Sequence, residues 1–79
     1  MASIYKTDTK AIKKIMVEKE IGTIAELSDK TGVNRNTISK ILSGDIQPSA
    51  DVMDKLVSVL EIKPETAGNI FFGLDLRNK

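Results

Sequence analysis

The segment spanning residues 23–44, TIAELSDKTGVNRNTISKILSG, constrains the fold of this chain more than any other part of the sequence. Leu27 and Val33 supply apolar packing on either side of a glycine, and Ile38 and Ile41 recur three residues apart on one helical face. A glycine that follows a helix can take the left-handed conformation that ends it. Gly32 therefore predicts a sharp turn between two short packed helices.

Capping residues predict where these two helices begin and end. Thr23 and Glu26 form a T-x-x-E capping box, in which the hydroxyl and the carboxylate each satisfy a backbone donor. The first helix of the motif should therefore span about residues 24–31. Asn34 is a good N-cap for the next helix, which should span about residues 35–43 before a glycine stops it.

The sequence before the motif predicts one more helix. Thr7 or Asp8 can cap it, and it should run to about Glu20, with Gly22 ending it. Its inward face is predicted from apolar groups at helical spacing, namely Ile12, Ile15, Met16 and the aliphatic stem of Lys19.

The sequence after the motif predicts two helices. Ser49 caps a helix over about residues 50–60, and Pro64 suits the first position of a short fifth helix. Because no repeat or internal linker interrupts the chain, residues 1–79 should form one all-α domain of five helices. The fourth helix should turn its apolar residues inward, namely Val52, Met53, Leu56, Val57 and Leu60.

The two ends of the chain contain residues of high β-propensity, namely Ile4, Tyr5, Ile70, Phe71 and Phe72. These segments can pair as a small sheet beside the helical body. Two interpretations of Phe71 and Phe72 stay open at this point: they close the core of the monomer, or they join two protomers.

Composition predicts a small aliphatic core, because 41% of the 79 residues are hydrophobic and only three are aromatic. One core of this size contributes about 3–5 kcal/mol, so burial between two protomers of a homodimer is a natural supplement. No apolar run approaches the roughly 20 residues of a membrane span, and the N-terminus lacks the apolar core of a signal peptide. We therefore expect a cytoplasmic protein without a membrane partner.

Cysteine and histidine are both absent, which removes disulfides, thiolate and imidazole metal ligands, and the commonest general base. Asp51 and Asp54 could pair for acid-base work or hold a divalent cation. Their three-residue spacing at a helix start is more typical of capping and solvation. We expect no enzymatic activity, no metal, no cofactor and no small-molecule substrate.

The charge is unevenly distributed although the net charge is only +1. Residues 1–44 hold eight Lys or Arg against five Asp or Glu, whereas residues 45–65 hold two against five. Within residues 33–44 the only charges are Arg35 and Lys40, both positive, as expected of a surface that approaches phosphates. The alternative interpretation is an ordinary solvated helix face.

The motif resembles the Cro/C1-type helix-turn-helix family of DNA-binding domains, which includes phage repressors, Cro proteins, antitoxins and small bacterial regulators. With its flanking helices, the resemblance covers roughly residues 10–71 and implies a compact five-helix domain. The matching positions are Thr23, Glu26, Leu27, Gly32, Val33, Thr37, Ile38, Ser39, Gly44 and, in the loop beyond, Pro48.

Two positions depart from the family pattern. Ile24 stands where many members have a glutamine that commonly touches a DNA phosphate, and isoleucine cannot make that contact. Ser28 replaces the usual alanine. If it is buried, its hydroxyl can bond to the carbonyl of Ile24, one helical turn back.

The resemblance implies that the third helix enters the major groove of double-stranded DNA. Arg35 can present two donors to guanine, Asn36 can pair with adenine, and Lys40 can reach guanine or a phosphate. These three match the main base-reading positions of the family, and Asn34 and Ser39 match secondary contacts.

Thr23 and Ser43 match positions of the family that contact phosphates. The resulting hypothesis is a sequence-specific transcription regulator, of the phage Cro-like or repressor type. The alternative is a helix-turn-helix antirepressor or co-repressor that acts mainly by binding a partner repressor protein. The low net charge and the apolar side chain of Ile24 favour that alternative.

Overall fold

The computed structural model describes residues 5–74, and these residues form five helices between two very short strands. The elements in chain order are β1 (Tyr5–Lys6), α1 (Thr9–Glu18), α2 (Ile24–Thr31), α3 (Arg35–Ser43), α4 (Ala50–Leu60), α5 (Pro64–Phe71) and β2 (Gly73–Leu74). The predicted all-α class and the predicted bounds of the second, third and fourth helices are confirmed. Within residues 5–74, no helix is long and apolar enough to cross a membrane.

One aliphatic core joins the helices. Helix α3 packs against both α1 and α2, while α2 also contacts α4 and α1 also contacts α5. The core therefore holds α3 by one face and leaves its other face outside. The side chains with the least exposure are Ile12, Leu27, Ile38, Ile41, Leu56, Leu60 and Phe71.

The end of α1 differs from the prediction. The helix stops at Glu18, and Glu20, rather than Gly22, takes the left-handed conformation, with φ of 60°. The backbone N–H of Ile21 donates to the carbonyl oxygen of Met16 at 2.8 Å, which closes the helix end. The reversal occurs this early because it turns Ile21 into the core, where only 3% of its surface stays exposed.

Helix α4 ends in the same way as α1. Glu61 has φ of 54°, and the N–H of Ile62 donates to the carbonyl oxygen of Val57 at 3.0 Å. An ion pair joins the two helix ends, with Lys19 Nζ 2.8 Å from Glu61 Oε1. Lys19 is thus exposed and ion-paired. Its ammonium group lowers the pKa of the Glu61 carboxyl, first through the hydrogen bond and then through its charge.

The predicted pairing of the chain ends is present, but its C-terminal strand is Gly73–Leu74 and not the segment from Ile70 to Phe72. Tyr5 lies opposite Leu74 and Lys6 opposite Gly73 in an antiparallel pair. Ile4, which was expected to take part, lies outside the described residues. The pairing brings the two ends of the described chain together on one side of the helical body.

The sequence suggested that the apolar residues near the C-terminus lie in a strand, but the structure does not place them there. Ile70 and Phe71 belong to α5 and are buried, because the helix that starts at Pro64 turns both into the core. Phe72 follows the helix with 52% of its surface exposed, and its ring meets that of Tyr5 edge to face at 5.7 Å. Phe71 therefore closes the monomer's core, whereas Phe72 does not.

A single glutamine ties the loop after α3 to both ends of the fold. The hydroxyl of Thr7 donates to Gln47 Oε1 at 2.7 Å, and Gln47 Nε2 donates to the carbonyl oxygen of Phe71. The backbone N–H of Asp8 also donates to the carbonyl oxygen of Ile70, at 2.7 Å. The segment that follows α3 is thereby anchored by directional bonds as well as by packing.

Candidate nucleic-acid interface

Helix α3 begins and ends at well-formed caps. The Asn34 side-chain oxygen accepts from the N–H of Asn36 at 2.7 Å, and the Asn34 carbonyl accepts the first helical bond, from Ile38, at 3.0 Å. At the other end Gly44 takes the left-handed conformation, with φ of 85°. Asn34 thus uses its oxygen for the cap and keeps its amide NH₂ group for an outside acceptor.

The two faces of α3 are sharply different. Ile38, Ile41 and Leu42 are buried, at 8% exposure or less. The residues proposed from the sequence to read bases all lie on the exposed side of this helix or at its N-cap, and they are Asn34, Arg35, Asn36, Ser39 and Lys40. The core thus holds the helix by its apolar stripe and presents this polar set outward.

The electrostatics of the exposed face are simple. Arg35 and Lys40 are the only charged residues between residues 33 and 44, and both are exposed. The ion pairs found within residues 5–74 join Lys19 to Glu61 and a lysine to an aspartate on α4, so neither cation of α3 is neutralised there. Both cations keep their donors for an anionic partner.

The two predicted phosphate contacts lie at helix ends. Thr23 caps α2, where its oxygen accepts from the N–H of Glu26 at 3.1 Å, and it is exposed. The carboxylate of Glu26 accepts from the Thr23 hydroxyl at 3.4 Å, not from a backbone donor as the capping-box prediction had it. Ser43, also exposed, donates to the carbonyl oxygen of Lys40 at 3.1 Å.

The serine that departs from the family pattern does not make the bond to the Ile24 carbonyl that the sequence suggested. The Ser28 hydroxyl donates forward across the turn to the carbonyl oxygen of Val33, at 2.6 Å. The left-handed Gly32, with φ of 76°, folds the chain back over α2 and brings that carbonyl within reach. The sequence suggested a bond inside one helix, whereas the structure shows a bond from α2 to the turn that precedes α3.

Sequence reasoning assigned no role to Thr31, although this residue completes the same turn. Its hydroxyl donates to the carbonyl oxygen of Leu27 at 2.7 Å and accepts from the N–H of Val33 at 3.1 Å. Only 8% of its surface is exposed. A threonine directly before the helix-ending glycine was the available signal, because threonine hydroxyls commonly bond to nearby backbone.

Ile24 opens α2 and is half-buried, packed against the edge of the core. It thus has a packing role at the position where the family often carries glutamine.

The carboxylate of Asp51, on α4, is exposed and forms an ion pair with Lys55, one helical turn along, at 3.2 Å. No group of three or more acidic residues within residues 5–74 is arranged to hold a metal ion.

The caps, the left-handed glycine between α2 and α3, and the exposed polar stripe of α3 define a helix-turn-helix domain. The family model of the Cro/C1-type helix-turn-helix DNA-binding domain matches residues 11–67. The chain belongs to this family, and the resemblance inferred from the motif is confirmed. No curated protein and no solved structure matches the chain.

Proposed function

We propose that this protein is a sequence-specific transcription regulator that binds double-stranded DNA by inserting α3 into the major groove. The observation that supports this proposal best is the division of α3 into a buried apolar stripe and an exposed stripe of polar and basic residues. In a family of DNA-binding domains, that exposed stripe is the natural groove-facing surface.

The base-reading chemistry is assigned to three side chains of the exposed stripe. Arg35 offers two donors to the O6 and N7 atoms of guanine, and Asn36 offers one donor and one acceptor to adenine. Lys40, five residues further along α3, donates to a guanine or to a phosphate. Asn34, through its amide NH₂ group, and Ser39, through its hydroxyl, add secondary contacts.

Phosphate contacts are assigned to the two ends of the motif. Thr23 lies at the start of α2 and Ser43 at the end of α3, and both hydroxyls are exposed. Such contacts set the position and orientation of a domain on DNA, and base contacts set its sequence preference. Because few cations take part, we expect a modest salt dependence of binding.

As a regulator of the phage Cro-like or repressor type, the protein acts in the cytoplasm by covering a promoter. Two protomers that bind as a homodimer would place two copies of α3 about 34 Å apart along the duplex, one helical turn of DNA. Repression then depends on the occupancy of the operator.

A second candidate function is binding to a partner repressor protein, as an antirepressor or co-repressor. It is favoured by the aromatic pair of Tyr5 and Phe72, which are 43% and 52% exposed beside the paired chain ends. Exposed aromatic side chains are enriched at protein interfaces. Ile24 gives this candidate less support than the sequence suggested, because it packs partly against the core.

Selection from a pool of randomised DNA duplexes tests the main proposal. The purified protein is compared with the double variant Arg35→Ala, Lys40→Ala at two salt concentrations. The matched control is Lys55→Ala, Lys63→Ala, which removes the same charge from exposed positions away from α3. We expect one recurrent motif with the wild type and the control, and none with the α3 variant.

The single variants assign the roles. Arg35→Ala should cost about 1–3 kcal/mol of discrimination at one base pair, whereas Lys40→Ala should weaken binding and flatten its salt dependence. Failure of the wild type to enrich any motif contradicts the proposal and favours the second candidate. Equal enrichment by the wild type and the α3 variant contradicts the assignment of α3.

A further inference from the structure

Val33, the residue between the turn glycine and the N-cap of α3, is held at all of its groups by helix α2 and the core. Its side chain is buried at 7% exposure. Its N–H donates to the Thr31 hydroxyl at 3.1 Å, and its carbonyl oxygen accepts from the Ser28 hydroxyl at 2.6 Å. We call Ser28, Thr31 and the Val33 peptide groups that they bind the Val33 clamp.

The clamp is itself tied back to α2. The Thr31 hydroxyl that accepts from Val33 also donates to the carbonyl oxygen of Leu27 at 2.7 Å. The N–H of Gly32 donates to the carbonyl oxygen of Ser28 at 2.8 Å. The bonds of Val33 and Gly32 therefore join α2 to the turn that leads into α3, and the bond between Thr31 and Leu27 holds the Thr31 hydroxyl against α2.

Base reading depends closely on the direction in which α3 leaves the turn. A rotation of about 10° at the turn would move the far end of this nine-residue helix by about 2 Å, from its rise of about 1.5 Å per residue. Base contacts tolerate about 0.5 Å. Apolar packing is not directional, whereas hydrogen bonds are, so the clamp is the element suited to fix this angle.

We propose that Ser28 and Thr31 are positioning residues, which fix the angle at which α3 leaves the turn and thereby the sequence discrimination of the proposed DNA-binding site. This inference rests on the proposed function for its consequence at DNA, but its structural part concerns the protein alone. Neither residue lies on the exposed face of α3, so neither is assigned a contact with a base.

Three variants test the clamp. Ser28→Ala removes the donor to the Val33 carbonyl and keeps a good helix former. Thr31→Val removes the hydrogen bonds of the Thr31 hydroxyl at nearly constant shape, and Thr31→Ser keeps the hydroxyl as the conservative variant. The matched control is Ser58→Ala, which makes the same chemical change on the exposed side of α4.

The first readout needs no DNA. Residual dipolar couplings of backbone amides report the angle between α2 and α3, and hydrogen exchange reports the protection of the Val33 amide. We expect the angle to change in Ser28→Ala and Thr31→Val, and the protection of Val33 to fall in Thr31→Val. Thr31→Ser and Ser58→Ala should keep the wild-type angle. An unchanged angle in both hydroxyl-deletion variants overturns the proposal.

The second readout is the ratio of the dissociation constants for nonspecific DNA and for the duplex that the wild type selects. We expect this ratio to fall about tenfold in Ser28→Ala, a loss of about 1.4 kcal/mol, with the salt slope unchanged. The measurement is made well below the melting temperature of every variant. A residue that only stabilised the fold would lower that temperature and leave the ratio unchanged, and that result overturns the positioning role.

The two readouts separate the two proposals. If the wild type selects no duplex, the proposed function is wrong, while the angle between α2 and α3 still decides whether the clamp fixes α3. If the wild type selects a motif and the variants keep both the angle and the ratio, the DNA-binding function stands and the clamp is wrong.

Discussion

Four of the five helices in residues 5–74 are followed by a residue of left-handed conformation, which is glycine in two of them and glutamate in the other two. Gly32 and Gly44 end α2 and α3, the helices of the motif, whereas Glu20 and Glu61 follow α1 and α4. Glycine takes this conformation at little cost, and a residue with a Cβ atom loses roughly 1–2 kcal/mol. The helices of the motif therefore end with little conformational strain, whereas α1 and α4 end with a strained residue.

The difference teaches where local chemistry is enough and where burial overrides it. In each glutamate-ended helix the next residue is an isoleucine, Ile21 or Ile62, and both are buried at 7% exposure or less. Burying such a side chain contributes about 1.5–3 kcal/mol, which is enough to offset the cost of the glutamate conformation. Tertiary packing therefore decides the helix end at these two sites, and the following predictions test that explanation.

The largest expected effect comes from removing a buried isoleucine. Ile21→Ala should lower the free energy of unfolding by about 2–5 kcal/mol in urea, because it leaves a cavity and removes the anchor of the α1 end. The milder Ile21→Val should cost about 0.5–1.5 kcal/mol and gives a measurement if the alanine variant does not fold. The control Val17→Ala, at a side chain that is 74% exposed, should change stability by less than about 0.5 kcal/mol.

A smaller effect is expected at the glycine of the motif. Gly32→Ala should destabilise the domain by about 1–2 kcal/mol, because alanine is strained at φ of 76°. Beyond the adjoining residues, a Cβ atom there would meet nothing within 4 Å, so the cost is local backbone strain and not a clash with another part of the domain. Gly22→Ala is the control, since Gly22 is not left-handed and an added Cβ would make only an ordinary contact. Equal losses in the two variants would show that the turn has no special requirement for glycine.

At the helices that are followed by glutamate, we expect a substitution to stabilise the domain. Glu20→Gly should raise the free energy of unfolding by about 0.5 kcal/mol, because relief of the left-handed strain exceeds the entropy that glycine adds to the unfolded chain. Glu18→Gly, two residues earlier and inside α1, should lower it by up to about 1 kcal/mol. Urea unfolding of both variants gives the comparison. Destabilisation by Glu20→Gly would mean that the glutamate is not strained.

The smallest effect concerns the ion pair between the two glutamate-ended helices. Lys19 lowers the pKa of Glu61 in the folded state. The pair should therefore stabilise the domain at pH values above 4.5, the ordinary pKa of a glutamate. This contribution should disappear as the pH falls through the lowered folded pKa, and it should weaken in high salt, because the pair is exposed. Thermal unfolding of the wild type and Glu61→Gln from pH 2 to pH 7 measures it. In a Lys19→Ala background, the pH-dependent difference between the two should vanish.

Within the motif, sequence reasoning predicted most of the fold, because caps, glycines and apolar spacing act over a few residues. Thr23 and Asn34 start α2 and α3 where their side chains were expected to do so. The same reasoning failed at Gly22 and at Ile70 and Phe71. There the outcome depends on which side chains the core can bury, and a short β-prone run does not reveal that.

The candidate site divides in the same way. Apolar spacing was sufficient to place Arg35, Asn36 and Lys40 on the exposed face of α3, since burial of the opposite stripe leaves them no other place. Their assigned contacts with DNA stay predictions. The partner of Ser28 could not be predicted, because the Val33 carbonyl reaches it only after the chain has reversed at the turn.

The amino-acid sequence by itself determined the helix-turn-helix, its caps and the polar stripe of α3, because those features arise from side chains acting on backbone within one or two helical turns. Only the tertiary structure decided the left-handed glutamates, the burial of Phe71 apart from Phe72, and the bonds that Ser28 and Thr31 make to Val33. The physical reason is that burial and cross-turn hydrogen bonds depend on neighbours that meet only when the helices pack.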